Sequence, residues 1–337
     1  MIPLIFIYIG DKLPRYLNNS IEFSINHSQL PIILLISSNI LDQVCITSPK
    51  FKIYPIEDFY IRDEYFRAYE KNFIQDKELY IRSLERFFVL YEFVIKHKID
   101  VFIHGEVDNI FFSLESIIDK VRILGKGIYL PRINHKYMIA SIVICNSVSE
   151  LKSFLEYVLL TRITGTEMEL LSNYQSVESS RIYTLPTSID DNELIISNNR
   201  SLTFDYVGAV FDASVFGHWL FGPDPSNRLG LVTNKFLNKN NKSIDPRMYK
   251  FYFDYEKSVF TIQHKKLNTN AKLMNLHIHS KVHNSFLGKK FTRTINRVNV
   301  GLPTVISYNI ESFLKLKMYK YYLYRLFSVF TNRSNIY

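Results

Sequence analysis

Short apolar runs that alternate with amphipathic segments are the feature of this sequence that most restricts its fold. The runs at 4–10, 31–38 and 51–56 have the length of buried strands. Helical segments are predicted at 14–26, after the first run, and at 80–98, where apolar side chains recur with the 3.6-residue period of a helix. Strands that alternate with helices predict an α/β fold in which helices cover both faces of a sheet.

The pattern continues to about residue 175 and then weakens. Four further strands are predicted, at 100–105, 127–130, 140–146 and 273–280, with a helix between the first two. Ser147 with Glu150 and Thr166 with Glu169 have the spacing of capping boxes, which predicts helices that begin at 148 and 167. Polar turn-forming residues dominate 172–199, predicted to be a loop with short strands, whereas 249–263 alternates like a hairpin.

The composition excludes several classes of protein. Hydrophobic residues make up 47% of the 337 residues and charged residues 22%, which excludes a disordered chain. Two cysteines, Cys45 and Cys145, cannot form a disulfide framework and predict a reducing compartment. The apolar run at 1–9 is too short for a membrane helix and lacks the features of a secretory signal. We therefore expect a cytoplasmic protein.

The net charge of +9 is compatible with nucleic acid, an anionic membrane surface or a phosphorylated ligand. Because the basic residues are scattered and no nucleic-acid-binding motif is present, we expect no nucleic-acid partner. The segment 313–330 is apolar, aromatic and basic. It is either an interfacial helix that makes peripheral contact with the inner membrane surface or a terminal helix packed on the domain.

Two carboxylates follow the apolar strand that ends near Gly105. Glu106 and Asp108 stand at i and i+2, so in extended geometry they point to the same side. Two carboxylates at the carboxyl end of a strand, where open α/β sheets bind ligands, favour a hard divalent cation such as Mg²⁺ or Mn²⁺. The spacing alone supports equally an exposed Glu106 and an Asp108 that caps the next helix.

Two histidines and a lysine alternate late in the chain. In an extended conformation His277 and His279 share one face, and Lys281 follows them. Imidazole could supply a further metal ligand and the lysine a contact to phosphate. Either histidine alone is more typical of a hydrogen-bonded residue at a strand edge, whereas the group of three favours a functional site.

Two further places carry candidate residues. Residues 211–227 combine glycines and prolines with Asp212, His218, Trp219 and Asp224, which predicts a rigid irregular loop that binds ligand or, alternatively, a packed structural loop. Glu167 stands at the first position of a predicted helix, where the helix dipole stabilises a carboxylate. That position is also common for acidic residues without any function.

The order of these signals resembles that of GT-A fold nucleotide-sugar glycosyltransferases of the bacterial polysaccharide type. An aromatic helix leads to the strand that ends in Glu106-x-Asp108, then come the strand 140–146, the helix from Glu167 and the 277–281 motif. The resemblance covers about residues 1–285. It implies a Rossmann-type mixed sheet flanked by helices, with a C-terminal loop or hairpin region and a helical extension.

The resemblance also implies roles for individual residues. Asp108 would bind Mn²⁺ or Mg²⁺ together with His277 or His279, and Glu106, where the family has Asp, would face the donor. The other donor-binding residues are Tyr8 and Gly10 at the nucleotide base and Arg86 and Lys281 at the diphosphate. The candidate bases are Glu167 and, second, Asp212. The acceptor-binding residues are His218, Trp219 and Asp224.

We therefore expect a glycosyltransferase that moves a sugar from a nucleotide-diphosphate donor, such as a UDP-sugar, to a glycan or lipid-linked glycan in cell-surface polysaccharide synthesis. Alternatives are a non-catalytic nucleotide- or carbohydrate-binding module on a degenerate scaffold of this type, and a metal-dependent hydrolase or nucleotidyltransferase. Residues 1–146 would bind the nucleotide sugar, 147–285 would bind the acceptor and complete the metal site in the same domain, and 286–337 would form a basic aromatic extension.

Overall fold

The computed structural model describes residues 2–59, 78–134, 136–161, 165–190, 201–221 and 244–278, together with Ile295 and Asn299. The strands are β1 (Leu4–Tyr8), β2 (Ile32–Ile36), β3 (Phe51–Pro55), β4 (Phe102–Gly105), β5 (Asn109–Phe111), β6 (Ile128–Pro131), β7 (Ile142–Cys145), β8 (Ile182–Leu185), β9 (Ala209–Val210), β10 (Tyr249–Asp254), β11 (Val259–His264), β12 (Thr269–Leu273) and β13 (Asn275–His277). The α-helices are α1 (Leu17–His27), α2 (Glu78–Lys96), α3 (Glu115–Ile123), α4 (Val148–Leu160), α5 (Glu167–Val177), α6 (Phe204–Val207) and α7 (Val215–Phe221). Short 3-10 helices cover Ser38–Gln43, Ile56–Phe59 and Pro246–Met248.

A mixed sheet forms the centre of the described part of the chain. Its seven strands have the order β3-β2-β1-β4-β7-β6-β8, and β7 is antiparallel to both of its neighbours. The strands β1 to β4 are parallel to one another where they pair. This topology confirms the predicted α/β architecture with a mixed sheet.

Helices pack on both faces of this sheet because side chains alternate along each strand. On one face Ile5 packs in a core with residues of α2, α4 and α5. On the other face Leu4 and Phe6 pack in a core with residues of α1 and α3. Both cores consist of buried aliphatic and aromatic side chains, as the apolar runs predict.

A second group of strands completes the fold. The predicted hairpin forms between β10 and β11, in a four-stranded sheet with the order β10-β11-β12-β9. The strand predicted at 273–280 is instead divided at Met274, because β12 pairs with β11 and β9 whereas β13 pairs with β5. The division carries the chain from the four-stranded sheet to the loop that follows β4.

Residues 215–221, predicted as irregular, instead form the helix α7. The prediction for 172–199 is correct in part, because β8 is a short strand there, whereas α5 continues to Val177. Ser147 is the N-cap of α4 but does not form a capping box. The carboxylate of Asp100 accepts from Val148 N instead (2.9 Å), and Glu150 pairs with Arg181 (2.9 Å).

The capping box at Thr166 is confirmed, since Thr166 Oγ1 accepts from Glu169 N and Glu169 accepts from Thr166 N. Among the described residues, no helix combines the length and apolar character that crossing a membrane requires. The predicted extension over 286–337 lies outside the described residues apart from Ile295 and Asn299.

Candidate metal and donor site

The turn between β4 and β5 brings two carboxylates to the carboxyl end of a central strand. Its backbone is fixed by bonds from Glu106 N to Ser141 O (3.3 Å) and from Asn109 N to Glu106 O (3.0 Å). The strand β13 pairs with β5 so that His277 lies opposite Asn109. The late histidine therefore meets Glu106 and Asp108 at the edge of the sheet where α/β proteins bind ligands.

The side chains of these three residues converge. Nε2 of His277 lies 3.1 Å from Oε2 of Glu106 and 3.2 Å from Oδ1 of Asp108. One ligand atom from each residue lies within 4.8 Å of the others. Neighbouring ligands of a cation with bonds of about 2.1 Å at right angles are about 3.0 Å apart, so these separations suit a divalent ion. The two carboxylates suit Mn²⁺ and Mg²⁺, and the imidazole adds a nitrogen ligand of the kind that transition metals take.

Charge at the site is set by the two carboxylates. Burial alone would lower the pKa of His277, but Asp108 and Glu106 outweigh burial and raise it to about 9. Without a cation the ring is therefore an imidazolium at neutral pH, and its Nε2 proton occupies the direction that a metal would use. A metal must displace this proton, because only the neutral ring can be a ligand.

Asp212 and its neighbours hold the backbone of His277. The carboxylate of Asp212 is fully buried and accepts from three amides, those of Phe216 (2.9 Å), Gly217 (2.8 Å) and His277 (3.0 Å). Burial raises the pKa of Asp212 to about 6, although these amides oppose the shift. The carboxylate therefore joins the start of α7 to β13.

Gly217 allows this close packing of α7 against β13. A Cβ atom built on Gly217 would lie 1.9 Å from the carbonyl oxygen of His277. No side chain fits there, so a glycine inside the helix is required by the approach of the two backbones. The same approach keeps His277 in place.

A network of buried side-chain amides holds the turn between β4 and β5 in place. Asn109 donates to Ser141 O (2.7 Å) and accepts from Nδ2 of Asn275 (3.0 Å). Oδ1 of Asn275 accepts from Asp212 N (3.0 Å), and Ser141 Oγ donates to Asp212 O (3.0 Å). These bonds join the turn, β7 and β13 into one unit, because buried polar groups are costly unless they are paired.

Arg86 on α2 supplies a buried positive charge between two acidic residues. Its Nη1 lies 2.5 Å from Oε1 of Glu106 and its Nη2 lies 3.8 Å from Oε1 of Glu167. Burial lowers the pKa of Arg86, but the two carboxylates outweigh burial and raise it. The guanidinium therefore connects the candidate metal site with the first residue of α5.

Glu167 has the properties of a proton acceptor. Burial raises its pKa to about 7, although Arg86 opposes the shift, as do the amides at the start of α5. Among the described residues, Oε2 of Glu167 is buried and has no hydrogen-bond partner. A carboxylate with a pKa near neutrality and a vacant oxygen can take a proton from a substrate hydroxyl group.

The remaining predicted residues are distributed around this centre. Tyr8 ends β1, which pairs with β4, and its ring folds over Gly10, where a Cβ would lie 2.7 Å from the hydroxyl oxygen. His218 is buried in α7, and its pKa falls to about 3 through burial and the nearby positive His277. Trp219 is half-buried and packs against a further apolar core, which includes Phe216, Phe251 and Phe260. Asp224, His279 and Lys281 lie outside the described residues.

Sequence reasoning missed Ser214, Asn109 and Asn275. Oγ of Ser214 lies 2.9 Å from Nδ1 of His277, on the side of the ring away from the carboxylates. Its only sequence signal is a serine two residues after Asp212. The two asparagines mark the paired ends of β5 and β13, which no local pattern reveals.

No protein-family model matches this chain, and no curated protein sequence matches it. Among solved structures, the apo form of mouse xyloside xylosyltransferase 1 is similar at a TM-score of 0.39 and 9% identity, over 55% of this chain and 85% of that chain. The apo bifunctional glycosyltransferase WbbM (TM-score 0.34, 11% identity) covers 55% of this chain and 38% of that one. The PaToxG glycosyltransferase is similar at a TM-score of 0.33 and 15% identity, over 53% of this chain and 71% of that chain. Because these TM-scores are below 0.5, we build the functional proposal on the site itself.

Proposed function

We propose that this protein is a divalent-metal-dependent glycosyltransferase that moves a sugar from a nucleotide-diphosphate donor to a glycan acceptor. The observation that carries the proposal is the convergence of Glu106, Asp108 and His277 at the carboxyl end of β4, beside Arg86 and the buried Glu167. A UDP-sugar donor, a glycan or lipid-linked acceptor and a role in cell-surface polysaccharide synthesis are the finer parts of this proposal.

Asp108 and His277 would hold the cation, with Glu106 beside them. The cation would neutralise the charge of the leaving diphosphate. Arg86 contacts the carboxylate of Glu106 and would orient it towards the cation. Lys281 and His279 are proposed to extend this site, and Tyr8 and Gly10 to border the nucleotide base.

Glu167 is our candidate base for an inverting reaction. The acceptor oxygen would form a bond to the anomeric carbon while the bond to the diphosphate breaks, and Oε2 of Glu167 would take the hydroxyl proton. We prefer Glu167 to Asp212 because the oxygens of Asp212 already accept from three backbone amides. His218, Trp219 and Asp224 stay proposed acceptor residues, and membrane contact through 313–330 stays a prediction.

The test is release of nucleoside diphosphate from a panel of nucleotide sugars by the purified full chain with Mn²⁺. Asp108→Asn should reduce release at least 100-fold, because it removes a metal ligand. Asp119→Asn, on the exposed face of α3, is the matched control and should leave release unchanged. Nucleotide binding without turnover would contradict the proposal, and nucleoside monophosphate as product would indicate a hydrolase or nucleotidyltransferase.

A further inference from the structure

Ser214 adopts a backbone conformation that serine rarely takes. Its φ is +74°, in the left-handed region, which is strained for a residue that has a side chain. The residue is buried, and its hydroxyl oxygen lies 2.9 Å from Nδ1 of His277. A glycine would adopt this backbone without cost, so the side chain at this position needs a separate explanation.

We propose that Ser214 is a positioning residue that sets the metal affinity of His277, an inference that rests on the metal site of the proposed function. If Nδ1–H donates to the serine oxygen, the lone pair of Nε2 points towards Glu106 and Asp108. The opposite ring nitrogen of a metal-bound histidine is commonly fixed in this way, and loss of the partner costs about 10- to 100-fold in affinity.

The hydrogen bond suits both states of the ring. Nδ1 carries a hydrogen whether Nε2 holds a proton or a cation, so the bond to Ser214 is kept when a metal replaces the proton. The backbone of His277 is held separately, through the contact of its amide with Asp212. Ser214 therefore fixes the rotation of the ring, whereas Asp212 fixes the strand that carries it.

The chain contains a matched control. Ser258 also has a positive φ (55°), and its hydroxyl oxygen lies 2.6 Å from Nδ1 of His27. His27 packs among Phe23, Phe253 and Tyr255. It is not part of the candidate metal site. The Ser258 pair therefore has the same local chemistry without the carboxylates.

The experiment compares Ser214→Gly and Ser214→Ala with Ser258→Gly and Ser258→Ala in the full chain. Mn²⁺ binding is measured by electron paramagnetic resonance of the free ion, and the melting temperature is recorded for each variant. Both Ser214 variants should bind Mn²⁺ about 10- to 100-fold more weakly, although glycine relieves the backbone. Both Ser258 variants should bind it as the wild type does.

Three results would overturn the inference. Wild-type affinity in Ser214→Gly would show that the hydroxyl has no part in binding, and an equal loss in Ser258→Gly would show a general effect of destabilisation. A wild-type protein that binds no Mn²⁺ would overturn this inference and the metal site together. If the wild type binds Mn²⁺ and the Ser214 variants bind it more weakly, but the wild type transfers no sugar, only the proposed reaction is overturned.

Discussion

Nε2 of His277 lies 3.2 Å from Oδ1 of Asp108, and this contact joins the turn after β4 to a strand near the end of the described chain. The strand pairing brings the histidine to the turn, and the bond from Ile278 N to Asp108 O (2.8 Å) secures the register. The candidate metal site thus depends on a long-range backbone pairing as much as on the ligands themselves.

Metal binding should depend on pH through His277. Because Asp108 and Glu106 raise the pKa of His277 to about 9, a bound cation must release one proton at neutral pH. We expect the affinity for Mn²⁺ to rise about tenfold per pH unit between pH 7 and pH 9. Calorimetric titration in buffers of different ionisation enthalpy measures the proton directly. An affinity that does not change over this range would contradict the assignment of His277 as a ligand.

Gly217→Ala should disrupt the site although it replaces none of the proposed ligands. The new methyl group would meet the carbonyl oxygen of His277 at 1.9 Å, so β13 must move away from α7. We expect Mn²⁺ affinity to fall at least tenfold and the melting temperature to decrease. Gly125→Ala is the control, because a Cβ there has no atom within 4 Å. Equal effects of the two substitutions would show that the close approach is unimportant.

Glu167→Gln should stabilise the protein above neutral pH while it removes activity. The folded-state pKa of Glu167 is raised from 4.5 to about 7, so its contribution to stability is present below 4.5 and lost as the pH rises through 7. This loss lowers the free energy of unfolding by about 3 kcal/mol, and glutamine removes the pH dependence. Urea unfolding at pH 5 and pH 8 measures the difference between wild type and variant. The turnover of the variant should fall at least 100-fold.

The exposed Glu156→Gln on α4 is the control for Glu167→Gln, since its partner Lys152 is also exposed. It should change neither the pH dependence of unfolding nor turnover. A Glu167→Gln protein with wild-type turnover would exclude the carboxylate as the base.

Arg86→Met should change the pH profile of activity. Removal of the guanidinium leaves the carboxylate of Glu167 without its positive neighbour, so the pKa of Glu167 should rise further. We expect the acidic limb of the rate profile to move to higher pH by about one unit. Arg82→Met, one turn earlier on α2 and paired with the nearby Glu85, is the control. An unshifted limb would show that Arg86 does not act on the base.

The sequence predicted those parts of the fold that local patterns encode. The strands and helices of the central sheet follow from the spacing of apolar residues, and the helix at Glu167 follows from its capping box. The meeting of Asp108 with the histidine strand was also expected, because an imidazole could complete a metal site begun by two carboxylates. The histidine in the described site is His277, one of the two that the sequence offered.

The rest depends on contacts that a linear pattern does not contain. The helix α7 was missed because glycines and prolines close together are typical of a loop, whereas Gly217 is required by the carbonyl group of His277. The role of Asp212 was hidden because nothing in the sequence shows that three amides surround it. The division at Met274 was missed because a change of strand partner leaves the apolar alternation intact.

The pairing of β13 with β5 also sets the order in which the centre can form during synthesis. A nascent chain that has reached Leu273 already carries Glu106 and Asp108, but no imidazole stands opposite them. Two carboxylates without the histidine bind a divalent cation only weakly. A metal site at this turn can therefore form only after β13 has been synthesised and has paired with β5.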